Sequence, residues 1–451
     1  MKSVTLVNAP AGKRTRADLG HTFRYVLNVS SINNSTIDVY ALCGSKKREV
    51  SVPVHVPEFS VTPDAFAGKV MLKVNGSDAD MTTLLSNLRI WNGSNEVTAG
   101  NITRDAQTGI ITVVGLNSNT KYSNFKVRLG QIEKAVAEFT TEPETDIPNG
   151  NLSAVTQTVN FTGVQIGGGF SGVAWKSSSY KHSINIVRSE ANGWASLNAL
   201  TAYANSSNKN TWYMVPSTFV EGGVATVRTV GYSHSGKDFE GTGGTAVYYS
   251  KQSPAEGDLS KANGEMFLGS YSFTGSANRV DGIAWATRPS TLSFDYKFAH
   301  PNYTKDNGTV VTSSTSEKGV ATVKVLDASG NVLASQEVLL DPTDQMTTKT
   351  VNLAGYPFGV KAAKIIVGFK SSNSSNPVLA IPTGEDLHYS GGMQSYNLCD
   401  GWLVYGAKSA NDYKAYARGC ELTVDNVKLG YGQSANALRA AKARKAKTNR
   451  R

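Results

Sequence analysis

Gly264-EMFLGSYSF-Thr274, followed by Asp281-GIAWATRPSTLSFDYK-Phe298, is the stretch from which the fold can be read. In its first half Phe267, Gly269, Tyr271 and Phe273 alternate with Leu268, Ser270 and Ser272. In its second half Leu292, Phe294, Tyr296 and Phe298 alternate with Ser, Asp and Lys. A period of two marks a strand with one buried face. Two such strands need a second layer to cover them, so a β-sandwich is expected, with Trp285 in its core.

Working outward, the composition agrees. Charged residues make up only 18% of the 451, and 43 are Gly, with Ser, Thr and Asn abundant, which reads as all-β and extracytoplasmic rather than helical and cytosolic. The length suggests about two to four domains. The net charge of +10 is concentrated in the tail: Ala437–Arg451 holds 7 Lys or Arg and no acid, leaving +3 for the remainder. That tail reads as a solvated, disordered end. No basic stripe interleaved with aromatics occurs in the body, which excludes nucleic-acid binding as the main role. No apolar run approaches the ~20 residues of a membrane-spanning helix. The first residues, MKSVTLVNAPAGKRTR, are not a secretory signal either, because their apolar run is too short. Cell-surface or periplasmic placement is therefore expected to depend on an export signal, or a lipid anchor, of a precursor form.

The chain divides into five parts. Residues 1–57 carry strand-like runs and are expected to be a small or partial β-domain. Residues 58–142 hold short strands at regular spacing: 68–75, 88–92, 109–116, 121–130 and 135–142. Residues 143–150, bracketed by Pro143 and Pro148, are expected to be a linker. Residues 151–432 form the large domain, and 433–451 the basic tail. The last strand of the large domain, Cys420-ELTVDNVKLG-Tyr431, slips phase at Asp425-Asn426, which predicts a bulge.

Two resemblances follow. Val114-GLNSNTKYSNFKVRLG with Ala137-EFTTE resembles the fibronectin type III pattern, which implies a spacer or presenting module. The ordered series Ile147-Pro-Asn-Gly-Asn-Leu, Asn192-Gly-Trp194, Asn263-GEMFLGSYSF, Gly282-IAWATR-Pro289, Leu292-SFDYKF, Ala321-TVKVLDASGNVLAS and Leu422-TVDNVKLGY resembles the carbohydrate metabolism domain (PCMD) of Bacteroidota surface lipoproteins. It implies a jelly-roll-like β-sandwich that handles glycans outside the cytoplasm, so the whole chain is expected to be tandem β-sandwiches. The chain departs from that family in its N-terminus, which lacks the acylated Cys, and in its basic tail.

Catalysis finds little support in the residues. A retaining glycosidase needs two carboxylates about 5–5.5 Å apart. Asp238-Phe-Glu240 has a suitable spacing but sits among glycines in a loop, a poor platform for precise geometry. Neither a Gly-x-Ser-x-Gly elbow nor a His-Glu-x-x-His helix is present. No catalytic residue is assigned, and a glycoside hydrolase with another acid pair is the alternative, followed by a structural adhesin. A structural calcium is left open, with Asp281, Asp295 or Asp425 as a ligand. Cys399 and Cys420 are close enough in sequence for a disulfide to close their loop. Sugar binding is the reading that survives, since pyranose faces pack on aromatic rings while hydroxyls need amide and carboxylate partners. The expected glycan contacts of this monomer are Trp194 with Asn198, Trp212 with Tyr213, and Asp400 with Trp402.

Overall fold

A computed structural model describes residues 36–43, 46–53, 58–76, 81–129, 132–167, 180–201, 216–234, 259–304, 309–380 and 418–432. The described residues are all-β, with short helical turns only, and their sheets stack as sandwiches.

The first described element is a hairpin of β1 (Thr36–Cys43) and β2 (Lys46–Pro53). The next unit contains β3 (Phe59–Ala65), β4 (Lys69–Gly76), α1 (Met81–Asn87), β5 (Arg89–Asn92), β6 (Asn95–Glu96), β7 (Ile102–Asp105), β8 (Ile110–Val114), β9 (Lys121–Tyr122), β10 (Phe125–Leu129), β11 (Ile132–Ala135) and β12 (Phe139–Thr140). One sheet runs β3-β4-β8-β7 and the other β11-β10-β5-β6, the order of an immunoglobulin-type sandwich. Their inner faces meet through Val70, Leu72 and Val74 on one side and Ile90, Phe125 and Val127 on the other. The predicted strand over 135–142 is split, because Val136 turns inward between β11 and β12. Strand β3 and helix α1 were not legible in the sequence; α1 forms because Leu84 and Leu85 fill the end of the core.

The large unit contains β13 (Val155–Gly167), β14 (Tyr180–Ala191), β15 (Trp194–Ser196), α2 (Asn198–Thr201), β16 (Thr218–Glu221), β17 (Val224–His234), β18 (Leu259–Ala262), β19 (Glu265–Phe273), β20 (Ala277–Asp281), β21 (Ile283–Ala284), β22 (Thr291–Ala299), β23 (Asn302–Thr304), β24 (Val310–Thr312), β25 (Gly319–Leu326), β26 (Val332–Leu340), β27 (Thr347–Asn352), β28 (Lys364–Lys370) and β29 (Arg418–Gly430). One sheet runs β15-β19-β28-β25-β26, with β20 beside β19 and β21 beside β28. The facing sheet runs β16-β17-β29-β22-β27, with β18 beside β17. The two long strands of the diagnostic stretch, β19 and β22, thus lie in opposite sheets. Leu292, Phe294, Tyr296 and Phe298 point inward from β22, as their alternation requires, and Phe294 meets Phe369 of β28 edge-on at 5.0 Å. Trp285 is buried in the same core.

Strand β19 differs from expectation. Its core face is Met266 and Leu268, which join the sandwich interior, while Phe267 lies on the opposite face beneath Arg279. The reason is tertiary. The second hairpin arm, β20, pairs with the C-terminal half of β19, and its Arg279 reaches back to cover Phe267 with a cation rather than with a second sheet. The bulge predicted in β29 is present: Val424 and Val427 are both buried, Asn426 adopts a φ of 52°, and the β22–β29 register shifts between Ser293 and Asp295.

The stretch 143–150 is not a free linker. Ile147 and Leu152 join the large core, the Tyr431 hydroxyl donates to Thr145 O, and Val427 N donates to Gly150 O. A Cβ on Gly150 would sit 2.0 Å from Val427 O, so only glycine allows this approach. The β3–β4 turn also crosses the seam, where Ala67 belongs to the large core. At its centre lies Arg288, with a side chain shut off from solvent. Its guanidinium donates to both Asp64 oxygens at 2.8 and 2.9 Å, to Glu142 Oε1 at 2.8 Å, and to the carbonyls of Ala65 and Val360. It also stacks on the Phe66 ring at 3.6 Å. A buried guanidinium is tolerated when its donors are met in this way.

Candidate functional site

The outer face of the β15-β19-β28-β25-β26 sheet carries a groove of about 330 Å³. Its floor follows from register. Glu265 of β19 lies opposite Lys370 of β28, which lies opposite Val320 of β25. The next row runs Phe267, Gly368, Thr322 and Glu337, and one row further on β25 stands Lys324. Gly368 leaves the centre of the floor without a side chain; a Cβ there would come 3.3 Å from the Phe267 Cβ. Alternation puts all these residues on one face because their neighbours, Met266, Ala321, Val323, Ile365 and Val367, fill the core.

One wall is β20. Gly269 makes that wall possible: its φ is 144°, and a Cβ there would lie 2.1 Å from Val280 O. Arg279 reaches from β20 across the groove, donating from Nη1 to Glu265 at 2.6 Å and from Nε to Asp281 at 2.8 Å. Its guanidinium lies 4.1 Å from the centre of the Phe267 ring. Burial alone would lower the Arg279 guanidinium, and the two carboxylates overcome that and push it up. The groove therefore holds three acids (Glu265, Asp281, Glu337) and three bases (Arg279, Lys324, Lys370), with Asn373 at one end.

These acids are poorly placed for glycoside hydrolysis. Glu337 is three strands from Glu265 in the sheet order, about 14 Å between backbones at about 4.8 Å per strand, a wide base for the roughly 5–9.5 Å between catalytic carboxyl groups. Glu265 and Asp281 are both engaged by Arg279. What the arrangement offers is a shallow set of charged donors and acceptors suited to hydroxyl-rich ligands.

The residues singled out from sequence fall elsewhere. Trp194 is only 6% exposed and packs in the core beside Phe369, so it presents no ring to a ligand. Asn198 is fully buried, and its side chain is structural: Oδ1 accepts from the backbone N–H groups of Ser217 and Thr218, and Nδ2 donates to Glu190 and to Thr218 O. The β14–β15 turn itself is exposed, but β15 points Trp194 into the sandwich core, and α2 sets Asn198 against the start of β16, where its amide satisfies buried backbone. Trp212, Tyr213, Asp400 and Trp402 lie outside the described residues, as do Asp238 and Glu240.

Of the candidate calcium ligands, Asp281 is engaged by Arg279. Asp295 and Asp425 face each other across β22 and β29, and both accept from Asn426 Nδ2, at 2.9 and 3.1 Å. Among the described residues, no group of three or more His, Cys, Asp or Glu side chains gathers as a metal site. Cys420 is a free, buried thiol that donates to Glu317 Oε2 rather than half of a disulfide, and Cys399 lies outside the described residues. Burial and the adjacent Glu317 push that thiol well above its ordinary range.

The groove residues Glu265, Arg279, Lys324, Glu337 and Lys370 were missed from sequence. Each is an outward position of an alternating strand, a signal too common to single out. Only the order of strands brings them together.

Among the described residues, no helix is long and apolar enough to cross a membrane. No family model matches the chain, and no curated protein does. Neither the PCMD nor the fibronectin type III resemblance therefore goes beyond the motifs that suggested it. Among solved structures, a candidate glycoside hydrolase from Bacteroides vulgatus is similar at 13% identity, over 64% of this chain and 98% of that one, with a TM-score of 0.30. SGBP-B from a xyloglucan utilization locus in Bacteroides uniformis is similar at 8% identity, over 88% and 80%, with a TM-score of 0.17. Carbohydrate-binding modules of the β-sandwich superfamily match at 11% identity, over 83% and 98%, with a TM-score of 0.19. Likenesses at this level carry no functional argument, which must come from the groove itself.

Proposed function

We propose that this chain is an extracytoplasmic glycan-binding protein that holds a saccharide along the outer face of the β19-β28-β25-β26 sheet without cleaving it. The observation that carries this reading is the groove. It is open, floored at Gly368, and lined by carboxylates, a guanidinium, ammonium groups and Asn373. Hydroxyl-rich ligands are oriented by such a convergence of polar groups. The spread of its acids supports binding over hydrolysis. Trp212, Tyr213, Asp400 and Trp402 are proposed as further glycan contacts, on the chemistry of their rings and carboxylate alone.

Affinity electrophoresis of the full chain on a panel of polysaccharides, paired with a reducing-end assay, tests the reading. Retardation by at least one polysaccharide without release of reducing ends is expected, and Arg279→Ala should weaken it. Release of reducing ends would turn the reading to hydrolysis. Failure to bind any polysaccharide would leave a structural adhesin.

A further inference from the structure

Charge in the groove is not evenly spent. Arg279 commits Nη1 to Glu265 and Nε to Asp281, so one end of the groove is internally paired. Lys324 and Lys370 make no ion pair with any carboxylate among the described residues, although both line the groove. Lys370 is two residues from Gly368 on β28, and Lys324 is two residues from Thr322 on β25, with Thr322 opposite Gly368. The two ammonium groups thus approach the bare floor from opposite ends. Glu337 is the single acid of the groove not engaged by Arg279. Asn373 Oδ1 accepts from Lys318 N, which leaves its amide N–H groups as further donors at the rim. The floor is therefore rich in unspent cationic donors and poor in unspent acceptors. A neutral sugar offers such a floor hydroxyls only, whereas an anion forms charge-assisted bonds, shorter and roughly twice as strong.

We infer that the groove selects anionic glycans, with Lys324 and Lys370 as the residues that read the negative group. The inference rests on the glycan-binding reading of the groove and adds the class of ligand. Two sources supply that charge, the carboxylate of a uronic acid and a sulfate ester, and the geometry is common to both.

The net charge of +10 would attract any polyanion loosely, so the experiment carries its own control. Binding of the full chain is measured by calorimetry to polygalacturonate, to the same polymer after carboxyl reduction, to dextran and to dextran sulfate. The double variant Lys324→Gln/Lys370→Gln is compared with Lys297→Gln/Lys428→Gln, which removes equal charge from exposed positions on the other sheet. The expected result is binding of polygalacturonate or dextran sulfate about tenfold or more tighter than of its neutral counterpart. That preference should be lost in the groove variant and kept in the control. Which polyanion shows it separates uronate from sulfate. Equal or tighter binding of the neutral polymers would overturn the inference while leaving glycan binding intact. An equal loss in both double variants would also overturn it, as attraction by overall charge. Absence of binding to all four polymers and to the wider panel would overturn both readings together.

Discussion

Two arginines of this protein are built from the same parts and do different work. Arg288, at the seam between the sandwiches, holds Asp64 and Glu142 and stacks on Phe66. Arg279, at the groove, holds Glu265 and Asp281 and stacks on Phe267. The difference is solvent. The Arg288 side chain is 0% exposed and also donates to two backbone carbonyls, whereas Arg279 is 36% exposed with donor capacity left over. A buried, saturated guanidinium has nothing to offer a ligand and much to lose if a partner is removed. A half-exposed one contributes little to stability and can exchange bonds with a ligand. Location in the sheet stack, not residue type, separates a joint from a candidate site.

The largest effect should come from breaking the joint. Arg288→Ala leaves two buried carboxylates with only the half-exposed Lys361 as a cation and is expected to cost about 3–5 kcal/mol in chemical denaturation. Arg288→Lys should not rescue it, since an ammonium cannot span Asp64 and Glu142 as the planar fork does. The same joint sets an acid limit. Burial alone would raise the Asp64 carboxyl, but Arg288, Gly359 N–H and Lys361 together hold it below its ordinary 3.8. A carboxyl lowered in the folded state adds stability that is fully present above that ordinary value and is lost as pH falls through the lower folded one. Denaturation midpoints should therefore decline with acid below about pH 4, and Asp64→Asn should flatten the decline. A steep decline unchanged in Asp64→Asn would assign it to other groups.

A smaller effect tests the corrected reading of the β15 region. Asn198→Ala strips the acceptor from the Ser217 and Thr218 N–H groups and should cost about 1–3 kcal/mol. A variant as stable as wild type, but weaker in glycan binding, would restore Asn198 to the ligand side. The smallest stability effect belongs to the groove. Arg279→Ala should change stability by less than about 1 kcal/mol, yet weaken binding of whichever polysaccharide the panel identifies by about tenfold, the equivalent of one lost charged bond. If instead it destabilises as much as Arg288→Ala, the distinction between joint and site collapses.

Much of the fold was written locally. The alternation in Leu292–Phe298 put β22 in a sandwich wall, and the phase slip at Asp425-Asn426 marked the bulge in β29. The face of β19 was not legible, because Phe267 and Met266 are both apolar and only the arrival of β20 decides which is covered by the core. Pro143 and Pro148 suggested a linker, but Ile147 and Gly150 are read correctly only when the strand they touch, β29, is known to run beside them. The site was less legible still. Trp194 and Asn198 carry the residue types of a sugar platform and are interior, while Glu265, Lys324 and Lys370 carry no motif and line the groove.

By itself the sequence determined that this chain folds as stacked β-sheets, because period-two burial is set by neighbours along one strand. Tertiary structure alone decided that Arg288 locks and Arg279 faces solvent, and which charges share a floor. Glu265, Glu337 and Lys370 are each more than thirty residues apart along the chain, and no local rule fixes which strands lie side by side.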